Sequence, residues 1–282
     1  MTAGGALAGG PRLTRRHTTG AESAQGLLFT VLGEFVLPAG GAAWTAAFID
    51  VLGRLGVEEK ACRQALMRTA ADGWLVADRS GRRASWRLTD AGVRLLTEGT
   101  GRIYGFTAAR DGWDGRWLMI LARTPESGRP ARHRLRTRLS WAGFGSPAPG
   151  IWMSPDAGLQ AEAERVLGAA GLLGDAQIFL STHVGGGPLA ALARQAWDLD
   201  QIEDRYEDFI AEFGAGECAD PLARTAGLVH AWRRFPWLDP VLPAQLLPAG
   251  WSGTRAAALF ADLHARWSPP ARAEWQRITE LA

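Results

Sequence analysis

Cysteine is nearly absent from this chain, with Cys62 and Cys218 the only two among 282 residues. They share no pair spacing, which excludes a disulfide framework and a cysteine zinc site. No apolar run approaches the ~18 residues that a membrane span needs. Residues 1–22, mostly Gly, Ala, Thr and Arg, hold none long enough for a signal peptide. Lysine is scarcer still: Lys60 is the only one, so positive charge is almost all arginine. Part of that bias reflects GC-rich codons, which Arg shares with Ala, Gly and Pro. The histidines (His17, His133, His183, His230 and His264) are scattered, and no Ser or Cys sits in a nucleophile elbow. These absences lead to the expectation of a cytoplasmic, non-catalytic protein with a loose tail over residues 1–22. It would need no metal, cofactor or membrane.

What is present is enough apolar sequence, 47%, to fill the cores of two or three domains. The charge is divided. Up to residue 141 there are 21 basic and 12 acidic residues, a net +9; beyond it there are 10 and 17, a net −7. A polyanion would bind the first half.

The most informative stretch runs from Val57 to Trp74. Read as a helix, it places Cys62, Ala65, Leu66 and Thr69 on one face at i, i+3, i+4, i+7 spacing. Lys60, Arg63, Gln64, Met67, Arg68 and Ala71 fall on the other. Arg can pair bidentately with guanine and Gln with adenine, so this face suits base edges as well as solvent. Its surroundings support the first use. Leu27, Leu28, Val31, Leu32 and Phe35 predict a first helix, stopped by Pro38-Ala39-Gly40-Gly41. Ala47, Phe48, Val51, Leu52 and Leu55 predict a second, with Thr45 as its N-cap. Two short strands, Trp74–Ala77 and Ala84–Leu88, flank a turn carrying Arg79, Arg82 and Arg83, and Thr89-Asp90 opens a fourth helix, Ala91 to Glu98. Three helices, two strands and a helix make a winged helix-turn-helix over residues 23–100. In that fold the third helix enters the major groove and the wing grips phosphate or the neighbouring minor groove.

Over residues 101–185 the order is strand (Trp117–Ala122, apolar enough for burial on both faces), helix (Ala131–Ala142), strand (Ile151–Ser154), helix and strand (Gln177–Ser181). One strand near Gly145 lacks a clear signal, but the pattern predicts a ferredoxin-like sandwich. Arg132, Arg134, Arg136 and Arg138 lie outside on its first helix, either as a solvated face or as a second DNA contact. Residues 186–282 read as a helical C-terminal domain, beginning with a long helix from Leu189 to Phe213. Its outer face carries Asp198, Asp200, Glu203, Asp204, Glu207, Asp208 and Glu212. Further helices cover Pro221 to Arg234 and Thr254 to Trp267. The proline-rich Phe235–Pro243 is too apolar for an ordinary exposed loop and is expected to pack as a strap. The fold class is therefore α+β, multidomain.

The chain resembles the PaaX family of transcriptional regulators. The matching stretches are Leu28-Phe29-Thr30-Val31-Leu32-Gly33-Glu34-Phe35, Arg63-Gln64-Ala65-Leu66 with Asp72-Gly73-Trp74, and Leu88-Thr89-Asp90-Ala91-Gly92. Further on come Arg102-Ile103-Tyr104, Trp113-Asp114-Gly115-Arg116-Trp117, Gly143-Phe144-Gly145, Leu238-Asp239-Pro240 with Leu242-Pro243, and Leu246-Leu247-Pro248. The resemblance runs from about residue 23 to the C-terminus.

It implies a homodimeric repressor of a palindromic DNA operator, with a middle domain like the CRISPR-associated small endoribonucleases. Those enzymes carry an acid at the end of the first strand; here Leu121-Ala122-Arg123-Thr124 stands there, which argues against nuclease activity. It also implies release by a small effector, an aryl-CoA thioester such as phenylacetyl-CoA. Trp232, Arg233, Arg234 and Trp237 would meet the acyl group and a CoA phosphate, or else serve as core tryptophans and cations at a helix C-terminus. The alternatives are a DNA-binding regulator with no effector and a CoA-thioester-processing enzyme. The DNA contacts expected are Lys60, Arg63, Gln64, Met67 and Arg68 on the third helix, with Arg79, Arg82 and Arg83 on the wing.

Overall fold

A computed structural model describes residues 23–80, 83–107, 112–122, 129–216 and 218–281. The tail expected over residues 1–22, Arg82, Arg123 and Thr124 lie outside the described residues. Internal contacts divide the chain into two compact units. One comprises residues up to Phe106 with Ala215–Arg234 and Leu259–Ala282; the other comprises Thr107–Gly214 with Phe235–Ala258.

In the first unit, Ser23 caps α1 (Ala24–Val31) by accepting the Gly26 amide at 3.0 Å, and the helix continues as a π-helical turn, Leu32–Val36. Leu28, Val31, Leu32, Phe35 and Val36 are buried, so the apolar spacing reads correctly. A strand absent from the expected order follows, β1 (Ala42–Trp44), too short to carry an alternation signal. Thr45 is not the N-cap of α2 (Thr45–Arg54); Trp44 is. The Thr45 hydroxyl donates instead to the Ala84 carbonyl at 2.8 Å and accepts from Trp86 Nε1 at 2.9 Å, tying α2 to the sheet. Next come α3 (Glu59–Ala71), β2 (Leu75–Ser80) and β3 (Arg83–Leu88), and the antiparallel sheet runs β1-β3-β2. The hairpin is longer than expected, with pairing continuing out to Ser80 opposite Arg83. Thr89 caps α4 (Asp90–Tyr104) by accepting the Gly92 amide at 3.1 Å. The helix passes through Gly99 and Gly101, well beyond Glu98. A Cβ at Gly92 would lie 2.4 Å from the Trp74 carbonyl oxygen, so only glycine lets α4 start this close to the sheet.

The second unit is built on an antiparallel sheet of order β5-β6-β4-β7: β4 (Arg116–Ala122), β5 (Gly145–Ala148), β6 (Ile151–Ser154) and β7 (Ala176–Thr182). Helices α5 (Arg129–Trp141) and α6 (Gln160–Ala169) supply Leu135, Leu139, Ala163, Val166 and Leu167 to a core with Leu118, Ile120 and Ala122. The strand expected to be buried on both faces is covered fully on one only: Leu121 is 41% exposed, as is Phe179 of β7 at 47%. The strand without a signal is β5, four residues of Gly-Ser-Pro-Ala with an irregular register. The single long helix expected after Pro188 is two, α7 (Leu189–Ala196) and α8 (Leu199–Phe213). Trp197 breaks it, because its ring lies on Gly145 where a Cβ would approach to 2.5 Å. Asp198 then restarts the helix by accepting the Gln201 amide. The proline-rich strap packs as expected, with Phe235 stacked on Tyr206 at 4.2 Å and Leu242 and Leu246 buried.

Two later helices matter to the first unit. Asp220 caps α9 (Pro221–Trp232), and Leu222 and Ala226 join the core formed by Leu28, Phe48 and Leu66. The last helix, α10 (Ser252–Leu281), does not stop at Trp267 but continues through Pro269 and Pro270. Each interior proline removes a backbone bond and crowds the preceding turn, at about 3 kcal/mol. Burial of Ala271 and Trp275 in the same core offsets that cost, with Trp275 stacked on Phe35 at 5.8 Å and edge-on to Phe48. At the other end of α10, in the second unit, Glu203 accepts the Ser252 amide at 3.1 Å and Glu207 accepts the Ser252 hydroxyl. Two carboxylates of the acidic outer face therefore cap a helix N-terminus, where negative charge is favourable.

Candidate DNA interface

Helix α3 begins after Gly56, whose φ of +79° makes the tight turn from α2. Its N-cap, Glu58, makes no side-chain capping bond, but Glu59 in the first turn complements the positive end of the helix. Cys62, Ala65, Leu66 and Thr69 are fully buried. Burial pushes the Cys62 thiol up to about 11, so it packs as a neutral apolar group at physiological pH. The Thr69 hydroxyl donates to the Ala65 carbonyl at 2.8 Å, and Gln25 of α1 donates to Thr69 and to Asp72 at 3.4 and 3.2 Å. The buried face thus holds the helix in one orientation.

The opposite face is open. Lys60, Arg63, Gln64, Met67 and Arg68 line a shallow concavity together with Glu59, and Met67 is 63% exposed. All five predicted helix residues therefore share one surface. Arg63 is not idle: its guanidinium bonds Glu59 at 2.7 and 2.8 Å. Both side chains are more than half exposed, and such a pair is worth about 0–1 kcal/mol, small enough to exchange for another acceptor. Arg68 Nε donates to the Gln64 carbonyl at 3.3 Å, which steadies the turn from which both side chains project.

The hairpin places Arg79 and Arg83 in solvent. Arg87, which sequence reasoning passed over, faces Asp78 at 3.6 Å across the hairpin and braces it. Its signal was an opposite charge at a cross-strand position, visible only once the register is known.

The first unit also holds a buried carboxylate. Glu34, on the π-helical turn of α1, is 3% exposed. It accepts from the Tyr104 hydroxyl, from Ser268 Oγ at 3.3 Å and from Arg272 at 3.4 Å, and lies 3.1 Å from His264 Nε2. Burial alone would raise its carboxyl. The hydrogen bonds of His264 and Tyr104 and the charges of His264 and Arg272 outweigh that and hold it below the usual carboxylate range. A lone acid within Leu32-Gly33-Glu34-Phe35-Val36 was the available signal.

The four proposed effector residues are divided between the two units. Trp232, Arg233 and Arg234 belong to the first unit and Trp237 to the second. Trp232 is buried, stacks on Phe260 at 4.7 Å and donates to the Ile103 carbonyl at 3.3 Å. Arg233 turns inward, donating to the Gly26 carbonyl at 2.6 Å and to Thr30 Oγ1 at 3.1 Å. Burial, then the charge of Arg234, pushes it down to about 10, so it remains a cation at neutral pH. Arg234 donates to the Ala231 carbonyl. Among the described residues no group of three or more His, Cys, Asp or Glu side chains is placed to hold a metal ion, and no helix is long and apolar enough to cross a membrane.

Comparison with known proteins agrees with this architecture. Residues 23–92 match the family model described as PaaX-like protein, residues 110–193 the PaaX protein central Cas2-like domain, and residues 197–277 the PaaX-like protein C-terminal domain. The transcriptional repressor PaaX of Escherichia coli (strain K12) is 32% identical over 265 residues, covering 89% of this chain and 82% of that protein. The solved structure of uncharacterized protein Rv0674 from Mycobacterium tuberculosis superposes with a TM-score of 0.62 at 25% identity, over 90% of this chain and 99% of that one. The chain belongs to the PaaX family, whose members are transcription regulators and not enzymes.

Proposed function

We propose that this protein is a cytoplasmic, homodimeric repressor that reads a palindromic operator through a winged helix-turn-helix and leaves it when an aryl-CoA thioester binds. The observation that carries the DNA reading is α3, with one face wholly buried and the other presenting Lys60, Arg63, Gln64, Met67 and Arg68. The helix order and the Arg79–Arg83 hairpin support the winged fold, and the strand order β5-β6-β4-β7, with two helices on one face, supports a ferredoxin-like middle domain. Repression is taken from the E. coli relative. A dimer on half-sites about one helical turn apart, and the CoA thioester, rest on the family resemblance. A regulator without an effector is the second reading. It draws support from Trp232 and Arg233, whose polar groups are already engaged within their own unit.

The test is electrophoretic mobility on duplexes that the protein enriches from a random pool, against unselected duplexes. Arg63→Ala and Gln64→Ala should each lose about 1–3 kcal/mol of preference for the enriched sequence. Arg83→Ala should weaken both duplexes alike and shallow the salt dependence. Equal losses on both duplexes for Arg63→Ala would remove base readout from α3.

A further inference from the structure

Helix α5 of the second unit carries no acidic residue although arginine recurs along it. Four exposed arginines elsewhere are matched by a carboxylate three or four residues away on their own helix: Arg63 with Glu59, Arg165 with Glu162, Arg266 with Asp262 and Arg277 with Glu274. On α5, Leu135 and Leu139 are buried in the core while Arg132, Arg134, Arg136 and Arg138 are exposed on its flanks. The helix packed beside it offers no neutralisation. In α6, Glu162 is engaged by Arg165 and Glu164 by Gln160. Arg134, Arg136 and Arg138 have no ion-pair partner among the described residues. Three guanidinium groups, those of Arg134, Arg136 and Arg138, thus lie within about 6 Å of helix axis.

We propose that α5 is a second DNA contact, which holds phosphate backbone outside the sequence read by α3 and carries no base preference of its own. The surface suits phosphate better than a protein partner. Charged residues are depleted from the centre of protein interfaces, and the only large apolar group among these arginines is Trp141, at the end of the helix. Arginine matches phosphate oxygens bidentately, and backbone contacts fix position without reading sequence. The proposal rests on the DNA-binding function, and its test separates the two.

Full-length protein and the triple variant Arg134→Gln, Arg136→Gln, Arg138→Gln are titrated with enriched and random duplexes at 50–200 mM salt. Glutamine keeps the helix propensity and removes only charge. The triple variant should bind both duplexes more weakly and keep its ratio of enriched to random affinity. Its salt slope should shrink by about 2.7, so that its affinity falls about 40-fold less than the wild type's across that range. An unchanged slope with an unchanged circular dichroism spectrum overturns the proposal and leaves the α3 reading intact. A variant that loses self-association while keeping its DNA salt slope also overturns it, in favour of a protein partner. Wild-type protein that binds neither duplex removes both readings. Should the triple variant not fold, each single substitution is expected to lower the slope by about 0.9, and three unchanged slopes would be decisive against the proposal.

Discussion

Asp239 sits in the strap of the second unit, accepting the Tyr206 hydroxyl and the Val241 amide, each at 2.6 Å. Burial pushes its carboxyl up from an ordinary 3.8 to about 6, against the pull of those two donors. The folded protein therefore binds this proton more tightly than the unfolded chain does. Its contribution to stability grows as pH falls from 7 through 6 towards 4, opposite in sign to most carboxylates. Melting temperatures of wild type and Asp239→Asn should diverge across that window, with the wild type gaining relative to the variant as pH falls. A constant difference would show that Asp239 titrates normally. The same residue shows where sequence reading stops. Leu238-Asp239-Pro240 stood out as a motif, but nothing in it reveals that the acid is buried, because its partner Tyr206 lies 33 residues away.

At the scale of elements, α1 is held along its length. Arg233 and His230 reach its Gly26 and Thr30 end, Gln25 on it fixes α3, and Glu34 near its other end receives α4 and α10. Replacing Glu34 by Gln leaves Tyr104, Ser268 and Arg272 facing a neutral amide, and should cost about 3 kcal/mol in a denaturant titration at pH 7. The carboxyl is held below 4.5, so its stabilisation is complete above that pH and is lost as pH falls through the folded value. The Gln variant should lack this acid dependence; a cost below about 0.5 kcal/mol would mean that the cluster is solvated in solution. Elements with a strong period were legible, as in the buried faces of α1, α2 and α3. What was not legible had a tertiary cause. β1 and β5 exist because a neighbouring strand pairs with them, α7 and α8 separate because Trp197 is wanted on Gly145, and α10 survives two prolines because Trp275 is wanted in a core. The exposed polar face of α3 was legible for the same reason, since the period that marks its buried face also marks the opposite one.

For the molecule as a whole, the charge division of +9 and −7 is divided by sequence, not by unit. The unit containing α3 also takes in Ala215–Arg234 and Leu259–Ala282 from the acidic half. Arg54 of α2 shows one use of that acidity, pairing with Asp220 at 3.4 Å and Glu274 at 3.1 Å as well as with Asp50. The proposed effector response is a property of the whole chain and is read by thermal shift with phenylacetate and phenylacetyl-CoA at equal concentrations. A rise in melting temperature with the thioester alone supports CoA-thioester sensing, because a ligand at 100 times its Kd adds about 2.7 kcal/mol. No shift with either retires the aryl-CoA reading for this protein.

The burial of Trp275 beside Leu28, Phe35 and Phe48 also has a consequence for biosynthesis. About 240 residues separate the two sides of that core, and at 5–20 residues per second the first helix waits roughly 10–50 s on the ribosome for its last partner. During that interval Phe35 and Phe48 lack the aromatic side chain that covers them. The core beneath α3, which Trp275 shares with Cys62, Ala65 and Leu66, is therefore completed only after Trp275 has been made. A nascent chain stalled before Trp275 would emerge with Phe35 and Phe48 uncovered and with the core that α3 shares incomplete.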